Sequence, residues 1–192
     1  MKTQKKFVIA FVIIFCHSFC YSQQRHPSAS RELEQHKKSI NTTAYIFLGS
    51  VTQQQNYYGK NKEILTCSII SITKIFKGTP QIKLGSIKVI TSQGGHIGNI
   101  YARLADDGRG ITLSNGATYI IFGRQAYPYM LADTMTTTDN TLILTTMGCD
   151  NPVVFSGNNS ARWGYTSYKT LDELYSFFKE NGVTVQEEAQ QK

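Results

Sequence analysis

The sequence Ala44-Tyr45-Ile46-Phe47-Leu48-Gly49-Ser50-Val51 decides the fold class. β-branched and aromatic residues dominate it, and alternation along an extended chain places positions 45, 47, 49 and 51 on one face. Positions 44, 46 and 48 are apolar as well and lie on the opposite face. We therefore predict a β-strand that is apolar on both faces, and the neighbouring segments are interpreted around it.

A second long strand is predicted at residues 64–76, after a polar turn at residues 53–61 that contains Gly59. The apolar residues of this strand change from one face to the other. The odd-numbered positions 65, 67 and 69 are apolar first, and the even-numbered positions 70 and 72 follow. A change of phase within one strand indicates a β-bulge or a sharp bend. In small barrels such a strand serves two sheets.

Four shorter strands are predicted downstream, separated by turns. Glycines at positions 94, 95 and 98 interrupt the chain between the third and fourth strands, where they permit a bulge or a close approach of two strands. Six strands, one of them long and bent, are typical of an all-β barrel. The four shorter strands are Ser86–Thr91, Ile100–Leu104, Tyr119–Phe122 and Thr141–Thr146.

A helix is predicted at each end of this β region. Ser30 is a candidate cap for a short surface helix, Arg31–Ser39, whose acidic residues come early and basic residues late, as the helix dipole prefers. Thr170 and Glu173 have the spacing of a capping box, and Gly182 is the predicted stop of the C-terminal helix. We expect this helix to pack on the barrel or across one open end. Its apolar stripe consists of Leu171, Leu174, Tyr175 and Phe178.

The predicted fold class is mainly β: a five- to six-stranded OB-like barrel with a short N-terminal helix and a C-terminal amphipathic helix. The barrel is assigned to residues 43–149. Residues 1–22 are assigned to a signal peptide, residues 23–42 to an N-terminal lead and the short helix, and residues 150–192 to a loop, the C-terminal helix and a polar tail. A chain of 192 residues, 17% of them charged, fits one globular domain.

Residues 1–22 have the pattern of a secretory signal peptide. Lys2, Lys5 and Lys6 precede the apolar run Phe7–Cys16, and Ser22 is a small residue at the predicted cleavage point. The run is shorter than the about 20 apolar residues of a membrane-spanning helix, so we expect a secreted or periplasmic protein without stable membrane insertion. Cleavage removes three lysines from a formal net charge of +7, and the remaining charge is too small to indicate nucleic-acid binding.

Two cysteines, Cys67 and Cys149, remain after the predicted cleavage. In an oxidising compartment a single disulfide between them is the default expectation. The alternative is a pair of buried thiols. Spacing along the chain does not decide between the two, because a disulfide requires Cα atoms within about 7 Å of each other in the folded protein.

Four short motifs, taken in their order and spacing, give the chain a family resemblance. They are the stretch 44–51, Ile75-Phe76-Lys77-Gly78, Gly94-Gly95-His96-Ile97-Gly98, and Gly116-Ala117-Thr118-Tyr119-Ile120-Ile121-Phe122. Over Ser39–Cys149 this series resembles the netrin-like, or tissue-inhibitor-of-metalloproteinase-like, OB-fold modules of secreted bacterial proteins. Such modules look like accessory domains of exported proteins, among them large hydrolases and adhesins.

The resemblance implies fold markers and no catalytic residues. In these modules the Lys-Gly pair turns the chain after the second strand, and the Gly-x-x-Tyr element begins a barrel strand after a tight loop. The animal inhibitors chelate zinc through an N-terminal Cys, whereas this mature chain is expected to begin at Gln23, so zinc chelation does not carry over. The markers are Gly49, Lys77, Gly78, Gly94, Gly95, Gly98, Gly116 and Tyr119.

Candidate functional residues are few. The histidines beyond the signal peptide, His26, His36 and His96, are not spaced as metal ligands, so no metal or other cofactor is expected. No Cys or Ser has an evident general base, and we expect no enzyme activity. Tyr101, Arg103 and His96 are the candidate binding residues, although His96 also fits an ordinary solvated loop. Further tyrosines, which fit either stacking on a ligand or an ordinary β surface, are Tyr57, Tyr58, Tyr127 and Tyr129.

These observations favour a secreted, noncatalytic interaction module that binds an exported protein or an envelope component. A protease inhibitor that acts by loop insertion is the alternative implied by the resemblance. The third hypothesis is that the barrel face binds an oligosaccharide or single-stranded nucleic acid, because OB folds use aromatic side chains and positive charge for such ligands. Secretion favours the sugar over the nucleic acid.

Overall fold

The computed structural model describes residues 29–78, 80, 82–103, 112–132, 143–145, 153–156, 160–164 and 166–183. Within these ranges lie two α-helices, ten β-strands and a 3-10 turn at Pro128–Met130. The helices are α1, Ala29–Thr42, and α2, Leu171–Glu180. The strands are β1 Tyr45–Tyr58, β2 Ile64–Lys77, β3 Gly85–Thr91, β4 Gly94–Ile97, β5 Ile100–Arg103, β6 Thr118–Gln125, β7 Ile143–Thr145, β8 Val153–Ser156, β9 Ser160–Trp163 and β10 Thr166–Tyr168.

Five of the strands form a closed ring of backbone hydrogen bonds. Their order is β1-β2-β3-β7-β6, and β6 returns to pair with β1. The β3–β7 pair is parallel and the other four pairs are antiparallel. The spatial series β6-β1-β2-β3 is the strand order of a Greek key. The prediction of a mainly β chain is confirmed.

The number of strands is larger than predicted, since the described residues contain ten strands where the sequence predicts five or six. β4 and β5 form a separate hairpin, and β8, β9 and β10 extend the sheet outward from β6. The last three lie within residues 150–192, where the sequence analysis places a loop before the helix. They are three or four residues long, too short for a clear alternation of apolar and polar residues.

β1 and β2 pair along 14 residues each, with three shifts of register. Val51 lies opposite Ile70 and Gln53 opposite Ile69, so Thr52 is an extra residue between the two pairs. The predicted β-bulge is confirmed. The extra residue at this point is on β1, opposite the position in β2 where the apolar residues change face. Positions 65 and 67 of β2 consequently pack in one cluster of buried side chains and positions 70 and 72 in another.

The polar turn predicted at residues 53–61 is wrong in its first half, because β1 continues to Tyr58. Backbone pairing with β2 does not depend on side-chain polarity, and Gln53 and Gln55 remain exposed on the paired strand. The chain reverses only in residues 59–63, where the Gly59 amide donates to Glu63 O at 3.0 Å. A polar stretch of sequence therefore marks solvent exposure here rather than the end of the strand.

Two clusters of buried side chains use opposite faces of β1 and β6. The inner cluster draws residues from all five ring strands, including Phe47 of β1 and Ile121 of β6. The outer cluster contains their neighbours Ile46 and Ile120, which pack with both helices and with β8–β10. The prediction of a first strand that is apolar on both faces is confirmed. The C-terminal helix lies on the outer face of the ring rather than across an open end.

Helix α1 is longer and more deeply buried than the predicted surface helix. It spans 14 residues, so that Ser30 lies within it rather than at its cap. One face is buried, although Glu32, His36 and Ser39 on that face are polar, and Ile40 is its apolar contact with the outer cluster. Polar side chains of this kind are usually exposed. Composition alone therefore predicts a solvent-facing helix.

Helix α2 has the predicted cap, stripe and stop. The Thr170 hydroxyl accepts a hydrogen bond from Glu173 N at 3.2 Å, and the Glu173 carboxylate accepts one from Lys169 N at 2.8 Å. Leu174 is fully buried in the outer cluster. Gly182, with φ of 80°, follows the helix. Neither helix in the described ranges is long and apolar enough to cross a membrane.

Several sequence predictions concern residues outside the described ranges. These are the signal peptide at residues 1–22, the end of the fourth predicted strand at Leu104, and Cys149. Export therefore stays a prediction drawn from the sequence.

Candidate binding surface

The hairpin of β4 and β5 brings together the three candidate binding residues. His96 lies opposite Tyr101, and Gly94 lies opposite Arg103. Directly opposed residues of an antiparallel pair share a face of the sheet, so the side chains of His96 and Tyr101 lie side by side. Both are exposed: Tyr101 exposes 70% of its surface, and the adjacent Ile100 exposes 59%.

Polar contacts hold this hairpin against β1 and β2. The Asn56 side-chain amide donates to His96 O at 3.3 Å, and the Thr66 hydroxyl donates to Gly94 O at 2.8 Å. Gly95 lies so close to Asn56 that a Cβ atom at this position would be 2.5 Å from the side-chain carbonyl carbon of Asn56. Glycine permits this close approach, which is the role that the sequence predicts for these glycines.

A pair of exposed tyrosines follows β6. Tyr127 and Tyr129 stack on each other, with ring centroids 5.5 Å apart and an angle of 10° between the planes. Their exposed fractions are 39% and 38%. The Lys60 amide donates to Tyr129 O at 2.9 Å, which joins this segment to the turn between β1 and β2.

Tyr57, which the sequence analysis groups with the loop and surface tyrosines, is buried. Its hydroxyl donates to Met130 O at 2.6 Å. Burial raises the pKa of Tyr57, and Cys67 and Glu63 raise it further. The next residue, Tyr58, is 41% exposed. Successive side chains of a strand point to opposite faces, and at this end of β1 only the face that carries Tyr57 is covered.

The hairpin and the tyrosine pair are anchored to the same short segment of β1 and its turn, at Asn56 and Lys60, with Tyr58 between the two anchors. We call this region the aromatic surface. Seven large apolar side chains are exposed in the described part of the chain, and the four tyrosines among them belong to this surface, while Ile100 is exposed on the opposite face of the hairpin. The aromatic surface consists of Tyr58, His96, Tyr101, Tyr127 and Tyr129.

Charged groups stand beside the aromatic surface. Lys60, Lys62 and Glu63 are exposed in the turn that follows Tyr58. Among the described residues no group of three or more metal-ligating side chains occurs. The region thus offers ring faces, hydroxyl groups and two ammonium groups, which supply stacking, hydrogen bonding and positive charge to a partner.

A second polar site lies away from this surface, between α1 and the β9–β10 pair. The His36 imidazole stacks on the Trp163 indole, with centroids 3.9 Å apart and planes 3° apart, and its Nε2 lies 3.8 Å from Glu32 Oε1. Burial lowers the pKa of His36 to about 4, and the Glu32 carboxylate offsets only part of this effect. The His36 Nδ1 atom and the Tyr168 hydroxyl are buried without a hydrogen-bond partner among the described residues.

Sequence reasoning missed this second site because it considered His36 only as a metal ligand. The spacing of Glu32 and His36, four residues apart on a helix, is the signal that places both side chains on one face. That signal does not show that the face is buried. The stacking partner, Trp163, comes from a short strand far along the chain that has no clear pattern of its own.

Cys67 is buried and forms no disulfide with any described residue. It packs with Tyr57, Leu65 and Met130 in a third cluster near the aromatic surface. Burial raises the pKa of the Cys67 thiol, and Lys88 lowers it by a smaller amount. Cys149 lies outside the described residues, so the disulfide between the two cysteines stays a prediction.

The Lys-Gly pair that carries part of the family resemblance joins β2 to α1. Lys77 Nζ donates to Ile40 O at 2.9 Å, in the last turn of α1. Burial lowers the pKa of Lys77. Gly78 has φ of 111°, and a Cβ atom there would overlap Tyr45 Cδ1. A residue with a side chain is therefore disfavoured at position 78 both by backbone conformation and by space.

The other markers of the resemblance also occupy structural positions. Gly49 lies against β2, where a Cβ atom would be 2.7 Å from Ser71 O. The Gly116 amide donates to Val51 O at 2.8 Å, and the Tyr119 hydroxyl accepts a hydrogen bond from Ser114 N at 3.0 Å. Together these bonds hold the tight loop before β6, while Gly98 lies in the turn between β4 and β5.

Comparison with known proteins finds no protein-family model and no curated protein that matches the chain.

Proposed function

We propose that this protein is an exported, noncatalytic binding module that recognises an exported protein or an envelope component through the aromatic surface. The observation that carries the proposal is the concentration of exposed apolar side chains at one end of the ring. Clustered exposed apolar groups are typical of interaction sites. Aromatic residues are also enriched in protein interfaces, where they bury a large area. Export is inferred from residues 1–22.

We further propose that the ring is an OB-like barrel of the netrin-like kind. The support is a ring of five strands in Greek-key order. In OB folds the loops after the first and fourth barrel strands take part in ligand binding. Here these are the turn at residues 59–63, next to Tyr58, and the segment after β6 that carries Tyr127 and Tyr129. The aromatic surface thus lies where this architecture presents its ligand.

An oligosaccharide is the second candidate partner, and the stacked pair Tyr127 and Tyr129 favours it. The two rings are nearly parallel and both are more than one-third exposed. Pyranose rings pack their C–H groups on aromatic faces, and tyrosine hydroxyls donate to or accept from sugar hydroxyls. This candidate uses the same surface as the first, so one set of variants tests both.

The test compares three immobilised proteins: the wild type, a variant with Tyr101→Ser, Tyr127→Ser and Tyr129→Ser, and a control with Leu84→Ser and Val154→Ser. The control removes exposed apolar side chains that lie outside the aromatic surface. Each protein is incubated with the native exported fraction and, separately, with envelope polysaccharide. We expect the tyrosine variant to retain at least about tenfold less partner than the other two, because hot-spot aromatics contribute about 2 kcal/mol or more each.

Equal retention by the wild type and the tyrosine variant would contradict the proposal, as would reproducible hydrolytic turnover by the purified protein. A retained protein in a stoichiometric complex supports the interaction module. A retained polysaccharide without protein supports the second candidate. A retained protease whose activity falls on binding would identify inhibition, the function that the family resemblance implies.

A further inference from the structure

Helix α1 is attached to the rest of the molecule in two places that differ in chemistry. Its C-terminal half is held by Ile40 in the outer cluster and by the hydrogen bonds from Lys77 to Ile40 O and Asn41 O. Its N-terminal half is held through Glu32 and His36, which are 7% and 5% exposed. The second attachment therefore depends on a histidine, the side chain whose charge changes most readily between pH 5 and 8.

The surroundings of His36 favour its neutral form. The imidazole lies on Trp163, and the indole also stacks with Phe122 at a centroid distance of 4.5 Å and meets the edge of Phe178 at 6.1 Å. A charged imidazole loses its hydration in this aromatic environment. Attraction between an imidazolium and an indole ring offsets only part of that loss.

His36 Nδ1 adds to the penalty for protonation. It is buried, and no group in the described part of the chain forms a hydrogen bond with it. A neutral imidazole leaves one nitrogen unprotonated, whereas an imidazolium carries N–H groups on both nitrogens and needs two acceptors. Protonation would consequently place a buried N–H group without an acceptor at the contact between α1 and β9.

Among the described residues, the groups around His36 supply a single negative charge. On its own helix, Glu32 Oε1 lies 3.8 Å from Nε2. In β10, which packs in the same outer cluster, Tyr168 has a neutral hydroxyl, because burial, with a contribution from Glu173 and Glu32, raises the pKa of Tyr168 to about 12. From α2, the residues that reach Trp163 are Phe177 and Phe178. Glu173 of α2 influences Tyr168 rather than His36.

Glu32 also docks the helix on the backbone beyond β9. Gly164 follows β9 with φ of 60°, and a Cβ atom there would lie 2.5 Å from Glu32 Oε1. The carboxylate therefore occupies space that only a glycine leaves open. The contact ties the position of Glu32, and with it the first turns of α1, to the β9–β10 pair.

We propose that Glu32, His36 and Trp163 form an acid-sensitive latch, in which the N-terminal half of α1 is docked on β9 and β10 while His36 is neutral and is released when His36 takes up a proton. In the released helix the imidazole is solvated and has an ordinary pKa near 6.5, whereas docking lowers the pKa of His36 to about 4. Between these two values the released state binds more protons, so acidification favours release.

Trp163 reports directly on the latch because it is the only tryptophan of the chain. Its fluorescence emission is recorded for the purified protein from pH 7.5 to pH 4, together with the far-ultraviolet circular dichroism of the sheet. We expect a reversible red shift of the emission between pH 6.5 and 4, as the indole becomes solvated, while the β signal is retained.

Two variants assign the transition. His36→Phe keeps a flat ring on Trp163 without a titratable group, and we expect it to abolish the red shift. His96→Phe changes the exposed histidine of the β4–β5 hairpin and serves as the matched control for the fluorescence transition, whose midpoint should equal that of the wild type. A His36→Phe protein that shows the shift with an unchanged midpoint would overturn the proposal.

Hydrogen exchange of the wild-type protein tests the same proposal without any substitution. After correction for intrinsic rates, the amides of the N-terminal half of α1 should lose about tenfold or more of their protection between pH 7.5 and 4.5, while those of α2 keep theirs. Equal protection of α1 at the two pH values, or a parallel loss in α1 and α2, would overturn the latch.

Discussion

Lys77 Nζ, at the end of β2, donates hydrogen bonds to Ile40 O at 2.9 Å and to Asn41 O at 3.2 Å in the last turn of α1. The carbonyl groups of a last helical turn lack partners within the helix, and they form the negative end of its dipole. A lysine at this position satisfies two of them and places a positive charge next to that end. The Lys-Gly pair therefore fastens a helix to the ring in addition to turning the chain.

The substitution Lys77→Met should lower the free energy of unfolding by about 1 kcal/mol, because it keeps the length of the side chain and removes both hydrogen bonds. Urea unfolding at pH 7 measures the difference. Lys83→Met, at an exposed position, is the control and should stay within about 0.5 kcal/mol of the wild type. A Lys77→Met protein as stable as this control would show that water replaces the ammonium group at the two carbonyls.

Gly78→Ala should destabilise the protein more than the same substitution at a glycine of positive φ that has open space around it. Gly78 has φ of 111° and is crowded by Tyr45, whereas Gly98 has φ of 57° and open space around the position of a Cβ atom. We expect losses of about 2–3 kcal/mol for Gly78→Ala and about 1 kcal/mol for Gly98→Ala, measured by urea unfolding. Equal losses at the two positions would show that backbone conformation alone matters and that Tyr45 moves aside freely.

Tyr57→Phe should cost about 1–2 kcal/mol of stability, because it leaves the Met130 carbonyl without the buried hydroxyl that donates to it at 2.6 Å. Tyr58→Phe is a matched control one residue away, where the side chain is exposed, and it should leave stability within about 0.5 kcal/mol of the wild type. Chemical unfolding of both variants at pH 7 gives the comparison. Two variants of equal stability would contradict the assigned role of the buried hydroxyl.

Alkaline pH should destabilise the fold through its buried tyrosines. Burial raises the pKa of Tyr168 from 10.0 to about 12. As the pH rises, the tyrosine of the unfolded chain therefore releases its proton before that of the folded chain. The contribution of the protonated Tyr168 to the free energy of unfolding is complete below pH 10. It is lost between pH 10 and about 12, at up to about 1.4 kcal/mol per pH unit.

The free energy of unfolding at pH 9, 10 and 11 measures this loss. Tyr168→Phe should flatten the dependence, and Tyr101→Phe, at a position that is 70% exposed, should not. An unchanged slope in the Tyr168→Phe protein would contradict the assignment. Because the Tyr168 hydroxyl has no hydrogen-bond partner within the described ranges, this substitution is expected to leave stability at pH 7 unchanged or slightly higher.

The buried thiol of Cys67 should resist alkylation in the folded protein and react after unfolding. Both its burial and its raised pKa disfavour the reactive thiolate. Iodoacetamide treatment at pH 8, with and without urea and without reductant, followed by intact-mass measurement, tests this expectation. If unfolded protein takes up the reagent only after reduction, Cys67 is bonded to Cys149, as the sequence analysis predicts for an oxidising compartment.

The strands that the sequence predicts are those whose apolar residues repeat over a long enough stretch. In the segment 44–51 both faces carry apolar residues, and both are buried in separate clusters. β8, β9 and β10 escape prediction because three or four residues do not establish a period and because their partners are distant in the chain. The predicted end of β1 is wrong because the backbone of the exposed glutamines forms the same strand pairing as that of apolar residues, so the strand continues to Tyr58.

The sequence identifies tyrosines and a histidine that form the candidate site, but it does not show that they lie close together in the fold. Tyr101 and His96 can be predicted as binding residues because they lie beside a glycine-rich turn. The register of the hairpin then places them next to each other. No local pattern shows that Tyr127 and Tyr129 lie against the turn after Tyr58, because that connection is made by contacts between distant parts of the chain, such as the hydrogen bond from Lys60 N to Tyr129 O. Tyr57 and Tyr58 look alike in the sequence, and only packing separates the buried ring from the exposed one.

Closure of the ring has a kinetic consequence. The parallel β3–β7 pair includes a hydrogen bond from Thr145 to Ile90 O across 55 residues, and Ser50 bonds to Thr118 across 68 where β1 meets β6. Contacts of such wide sequence separation must form after long segments have been ordered, which slows folding relative to that of local structure. The β1–β2 pair can form from a short turn, but the inner cluster is completed only when β7 arrives from the second half of the chain. A nascent chain therefore exposes the apolar faces of β1 and β2 until that late strand is in place.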